Sequence, residues 1–171
     1  MVRSDHLKAM TVRDLLRMTQ GHKGNADRKV MQAGDPAWTK AWLAFDVEDA
    51  PGTQWIYSNS VTYMLSAIVQ KVTGERLVDY LQPRLFDPLK ITRPIWDESP
   101  EGVSLGGSGL RVRTEDILRL GQLYLQRGRW EGAQLLPESW IAEATTLQAN
   151  TPENDPIRGM GYHFIIFPDQ E

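Results

Sequence analysis

A chain of 171 residues has room for one domain or most of one, and 41% hydrophobic with 24% charged residues supplies a packed core, which excludes wholesale disorder. A formal net charge of -3, with no basic cluster longer than Arg111-Val112-Arg113, argues against a nucleic-acid partner. Without cysteine, a disulfide scaffold, a thiolate zinc site and cysteine nucleophilic catalysis are all ruled out.

In chain order, Thr11 caps a helix from Val12 to Met18, with Asp14 in its first turn and Gly21 beyond its end. Val12, Leu15, Leu16 and Thr19 fall on one face of it. Asp35-Pro36 opens the next helix, with Trp38, Trp42 and Phe45 as buried anchors. Pro51-Gly52 makes a tight turn into an extended segment, Gln54 to Tyr57. The strongest helix runs from Ser60 to Val72; Val61, Met64, Leu65, Ile68, Val69 and Val72 form its apolar stripe, and Gly74 ends it. A helix from Arg76 to Phe86 must bend or break at Pro83 before Asp87-Pro88-Leu89 turns the chain.

The passage from Gly102 to Gly109 reads as a turn crowded against other backbone. Thr114 caps the following helix, which faces inward with Ile117, Leu118, Leu120, Leu123 and Tyr124 and stops at Gly128. Pro137 opens the last helix, burying Trp140, Ile141 and Ala144. Tyr162 to Phe167 reads as a strand, paired either with a segment outside this chain or with the stretch near Trp55. No apolar run approaches the ~20 residues of a membrane span, and no signal peptide is expected at Met1–Asp5.

His6, His22 and His163 are scattered and belong to no ligand-spacing pattern, so no metal is expected; no cofactor motif appears either. Gly106-Gly107-Ser108-Gly109 has neither the lysine of a phosphate loop nor the register of a nucleophile elbow. Tyr57-Ser58-Asn59 is the triplet with chemistry to offer. In extended chain, residues two apart project to one side, so Tyr57 and Asn59 would present a phenol and a carboxamide to one cleft. A phenol serves as a base only when its pKa falls from about 10, usually beside an ammonium. The amide can donate to and accept from a peptide-like substrate. A core tyrosine followed by a helix-capping asparagine is the structural alternative.

The run Pro51-Gly52-Thr53-Gln54-Trp55-Ile56-Tyr57-Ser58-Asn59, continued by Tyr63 to Val69 and Val72-Thr73-Gly74, resembles the serine β-lactamase and penicillin-binding-protein family. The likeness is to its class C β-lactamase, D-alanyl-D-alanine carboxypeptidase and esterase branch, which includes 6-aminohexanoate-dimer hydrolases. Met10 to Gly21, Leu85-Phe86-Asp87-Pro88-Leu89, and the stretch from Gly106 through Gly121-Gln122-Leu123 to Gly128-Arg129-Trp130 resemble further family blocks in family order.

The resemblance implies a catalytic Tyr57, as base or proton shuttle, and a catalytic Asn59, as the amide that orients substrate. It also implies a Ser-x-x-Lys nucleophile element and a Lys/His-x-Gly strand. No serine here has a lysine three residues on, Ser4 being followed at that distance by Leu7 and Ser58 by Val61, and Lys71-Val72-Thr73-Gly74 has one residue too many for the strand element. Gly159 to Phe164 and Ile165 to Gln170 resemble two family strands whose connecting hairpin is missing between them.

The expected fold is therefore mainly α with a small β component: the helical part of the α+β fold, sheet largely missing, over residues 1–171 as a single incomplete domain with a strand remnant at 160–171. The expected function is a fragment of a serine hydrolase acting on a small-molecule amide, ester or β-lactam through an acyl-enzyme and inactive alone. A non-catalytic binding or assembly module on the same scaffold is the alternative. A sheet-facing surface holding Phe164, Ile166 and the Trp55 side should be exposed and allow self-association.

Overall fold

The computed structural model describes residues 4–23, 27, 30, 36–153 and 155–167. Its helices are α1 (Asp5–Ala9), α2 (Val12–Leu16), α3 (Trp38–Ala44), α4 (Asn59–Thr73), α5 (Leu77–Leu81), α6 (Thr114–Leu125) and α7 (Glu138–Ala144). Among the described residues, seven two-residue strands form three small antiparallel sheets: β1 (Ile95–Trp96) with β2 (Leu110–Arg111), β3 (Arg129–Trp130) with β4 (Ala133–Gln134), and β5 (Ala149–Asn150), β6 (Gly159–Met160) and β7 (Ile165–Ile166) in that order. The chain is mainly helical with a small β component.

α4 is the axis of the molecule. Its buried residues Val61, Tyr63 and Met64 meet Leu15 of α2, Trp42 of α3, Val30 and Val103 in the first core. A second core gathers Phe86, Leu89, Ile91 and Leu123. α4 ends where expected, with Gly74 in the left-handed region at φ 76°, although Val72 is left in solvent. Thr11 does cap α2: its hydroxyl accepts from Asp14 N–H while the Asp14 carboxylate accepts from Thr11 N–H at 2.8 Å. Val12, placed on the inner face by spacing, is exposed, because α2 is too short to keep that stripe against α4.

Several expectations are corrected. α3 begins at Trp38 behind Ala37; Asp35 lies outside the described residues. Trp42 is its buried anchor, while Trp38 and Phe45 are half-buried. The segment from Gln54 to Tyr57 is extended but joins no sheet; Ile56 N–H donates instead to the Met18 carbonyl at 3.0 Å. The helix predicted to Phe86 stops at Leu81 and widens into a π-helical turn over Gln82–Phe86, closed by Asp87 N–H to Gln82 C=O at 2.8 Å. Pro83 has no N–H to give and its ring crowds the turn before it, which a wider turn relieves.

α6 starts one residue earlier than a Thr114 cap implies, since the Asp116 carboxylate reaches back to Arg113 N–H at 3.0 Å. Its buried side carries Asp116 and Leu123, leaving Ile117 60% and Leu118 69% exposed rather than inward. Trp140 likewise reaches the surface of α7, whereas Ile141 and Ala144 are buried.

The tail is a hairpin and not one strand. β6 and β7 pair directly, Gly159 opposite Ile166 and Met160 opposite Ile165, across a turn at Gly161–Phe164. The two family-like segments thus adjoin, and β5 supplies their neighbour within the chain. Ile165 and Phe167 are the exposed apolar residues; Phe164 is half-buried, its ring 4.9 Å from that of Tyr124. One step along a strand reverses every side chain, so the outward set is the opposite of that expected. Self-association through that face finds no support in this arrangement.

Candidate active site

Gly52, at φ 88°, turns the chain after Pro51, and the extended segment that follows delivers Tyr57 to the first turn of α4. Ser58 is the N-cap residue in extended conformation (φ -154°, ψ 122°), and Asn59 is the first helical residue. This change of backbone on either side of Ser58 brings the two predicted side chains together. The Tyr57 hydroxyl donates to Asn59 Oδ1 at 3.2 Å. Tyr57 is 54% exposed, so it is no core tyrosine. Asn59 does not cap its helix either.

Both side chains line a cavity of about 450 Å³. Thr62, Leu65, Ser66 and Val69 of α4 form one wall; Gly106 and Gly107 form another. Met18, Leu77 and the tail residues Met160, His163 and Ile165 complete it. The glycines are there because nothing larger fits. A Cβ on Gly106, whose φ is 75°, would stand 2.4 Å from the Thr62 carbonyl oxygen, and one on Gly107 would stand 2.2 Å from Thr62 Oγ1. A larger hollow of about 630 Å³ lies on the other face of α4, between Leu43, Met64, Ile68 and Val103, but it contains neither Tyr57 nor Asn59. Chemistry rather than volume distinguishes the smaller cavity.

Two residues of this region escaped sequence reasoning. His163 has a left-handed backbone (φ 60°) in the tail turn and lines the cavity; burial holds its imidazole below the ordinary histidine range, against a hydrogen bond to the Leu15 carbonyl. It is therefore neutral near neutral pH. Asp27 belongs to the stretch between His22 and Gly34, which matches no recognisable pattern. Its Oδ1 accepts from Ser58 Oγ and Ser60 N–H, and its Oδ2 from Asn59 N–H, all at 2.7 Å. Burial pushes the Asp27 carboxyl up, but these donors outweigh it and hold the group below the usual carboxylate range. An acidic residue thirty positions upstream of a helix leaves no spacing signal in the sequence.

Among the described residues lining the cavity there is no lysine or arginine to lower a phenol's pKa, and no group of three or more histidine, aspartate or glutamate side chains suited to a metal ion occurs. No helix among the described residues is long and apolar enough to cross a membrane. What the arrangement offers is a hydroxyl and a carboxamide, hydrogen-bonded to each other, at the rim of a largely apolar hollow beside a glycine loop. That is a surface able to orient an amide or ester carbonyl and to relay a proton.

The architecture matches solved structures of the penicillin-binding-protein and β-lactamase fold. The octameric penicillin-binding protein homologue from Pyrococcus abyssi superposes with a TM-score of 0.71 at 22% identity, over 94% of this chain and 44% of that one. The observed helices are the helical part of that α+β fold. A family model described as beta-lactamase matches residues 2–170, and the chain belongs to this family.

Among curated proteins, it is 29% identical over 125 residues to the 6-aminohexanoate-dimer hydrolase of Paenarthrobacter ureafaciens, covering 71% of this chain and 31% of the relative. It is 33% identical over 57 residues to the lovastatin esterase of Penicillium rubens, covering 33% of this chain and 14% of the relative. The chain thus spans under a third of the length of these curated relatives.

Proposed function

We propose that this chain supplies the tyrosine and asparagine side of an acyl-transfer centre in a serine hydrolase whose serine and lysine lie on polypeptide outside these 171 residues. The observation that carries the reading is the contact between Tyr57 and Asn59 at a cavity, in a sequence where no serine is followed three residues on by lysine. Tyr57, set beside the lysine ammonium, acts as the base that takes the proton of the attacking serine hydroxyl. The serine oxygen adds to the substrate carbonyl, which Asn59 orients through its amide. Tyr57 then passes the proton to the leaving group as the carbonyl re-forms, giving an acyl-enzyme that water hydrolyses in a second step.

The substrate is a small amide, ester or β-lactam. Two relatives support that range, one named as a hydrolase of a 6-aminohexanoate dimer and the other as an esterase of lovastatin. By itself the chain carries no nucleophile for the reaction and does not acylate.

The test is incubation of the 171-residue chain with a fluorescent penicillin and a fluorophosphonate, read by gel fluorescence and mass spectrometry. No covalent adduct is expected. An adduct on any serine of this chain would overturn the proposal, because the nucleophile would then lie within it. A natural polypeptide that starts at Met1 and binds amides without acylating would favour the non-catalytic module.

A further inference from the structure

We infer that Asp27 is the positioning residue of the site: by closing the N-terminus of α4 from outside, it releases the Asn59 carboxamide from capping and leaves it free to face substrate. The inference rests on the reading of Tyr57 and Asn59 as site groups.

A helix begins with backbone N–H groups that have no partner within it, and a serine or asparagine at its start ordinarily satisfies one of them with its own side chain. The sequence around α4 offers both residue types, yet neither does so. Ser58, in the N-cap position, makes no side-chain capping bond to a backbone N–H of the helix, and no acidic residue stands in the first turn. The first two N–H groups, of Asn59 and Ser60, are taken instead by the two oxygens of Asp27 at 2.7 Å. The Ser58 hydroxyl is turned onto the same carboxylate, also at 2.7 Å.

The anchor extends into the core. Ser58 Oγ lies 2.9 Å from Ser60 Oγ, and Ser60 Oγ accepts from the indole N–H of the buried Trp42 at 3.1 Å. One carboxylate thus holds the backbone directly after Tyr57 and on both sides of Asn59. It also places negative charge at the positive end of a 15-residue helix. With capping done by Asp27, the Asn59 side chain accepts from the Tyr57 hydroxyl and lines the cavity. Without it, Ser58 or Asn59 is the nearest substitute cap, and either change breaks the Tyr57–Asn59 arrangement.

The test uses the whole chain, labelled for NMR, in wild-type form and as D27A, D27N and L123A. In D27A, hydrogen exchange at the Asn59 and Ser60 amides should rise about tenfold, the loss expected for a missing cap, and the Asn59 side-chain amide and Tyr57 Cζ signals should shift. D27N keeps one acceptor oxygen, so it should fall between wild type and D27A. L123A, which opens the second core, should lower the melting temperature while leaving these four signals in place. If D27A does not fold, D27N carries the comparison: one of the two amides must lose protection. Wild-type signals in a folded D27A, full protection at both amides in D27N, or equal shifts in L123A would overturn the inference. These signals report geometry, so they can fail while the labelling result stands, and the reverse.

Discussion

Tyr63 shows how one hydroxyl can tie separate parts of the chain together. It is fully buried, donates to Glu101 at 2.6 Å and lies 3.0 Å from Ser99 Oγ, while Glu101 also accepts from Thr39 N–H and Oγ of α3. Burial and the neighbouring carboxylate push the phenol up, so it stays protonated and keeps donating. Tyr63→Phe should cost about 1 kcal/mol in urea unfolding, a modest loss because Glu101 is at the surface and can recover water. Gly107 poses a steric question instead. Gly107→Ala should destabilise by about 1–3 kcal/mol, because its methyl meets Thr62 Oγ1. Adding Thr62→Ala should recover part of that loss, and a double-mutant cycle measures the coupling. Additive effects would mean that the glycine is not there for this contact.

Among the elements, what could be read from sequence was existence and ending rather than orientation. The α4 pattern from Val61 to Val69 was legible because its apolar residues recur at helical spacing and Gly74 supplies the left-handed stop. In α6 the apolar residues Ile117, Leu118, Leu120, Leu123 and Leu125 spread around too much of the helix to choose a buried side, and packing chose the side with Asp116 and Leu123. The tail failed as a single strand because the residue that takes the left-handed turn is His163 and not a glycine, and it folds the chain back on itself. Tyr57 and Asn59 were legible as a pair; their capping partner Asp27 was not, since the contact spans more than thirty positions.

The whole molecule carries a pH dependence that no single element reveals. His22 and His163 are both held below the ordinary histidine range, in each case chiefly by burial; Glu48 pulls His22 the other way, as the Leu15 carbonyl does His163. His22 sits edge-on to Trp42 at 4.7 Å, and neither of its ring nitrogens has a hydrogen-bond partner among the described residues. A depressed folded pKa means that the unfolded chain binds more protons as pH drops below about 6.5. Stability should be full above that value and decline as pH falls toward the folded values. The melting temperature should therefore be lower at pH 5.5 than at pH 7.5, with a shallower slope in His22→Gln and His163→Gln variants. The depressed carboxyls of Asp27 and Glu101 enter only near pH 4 and below, so they do not confuse this window. A flat profile between pH 5.5 and 7.5 would show that these imidazoles are more open to water than the fold implies.

The sequence by itself determined the helical class, the glycine stops, and the pairing of a phenol with a carboxamide. All of these follow from neighbours along the chain, where backbone geometry fixes who meets whom. Only the tertiary structure decided which faces of α2 and α6 are buried, that the tail pairs with itself, and that Asp27 rather than Ser58 or Asn59 closes α4. Each of those outcomes depends on where distant segments come to rest, and burial and hydrogen-bond satisfaction in three dimensions select among arrangements that local spacing leaves equally open.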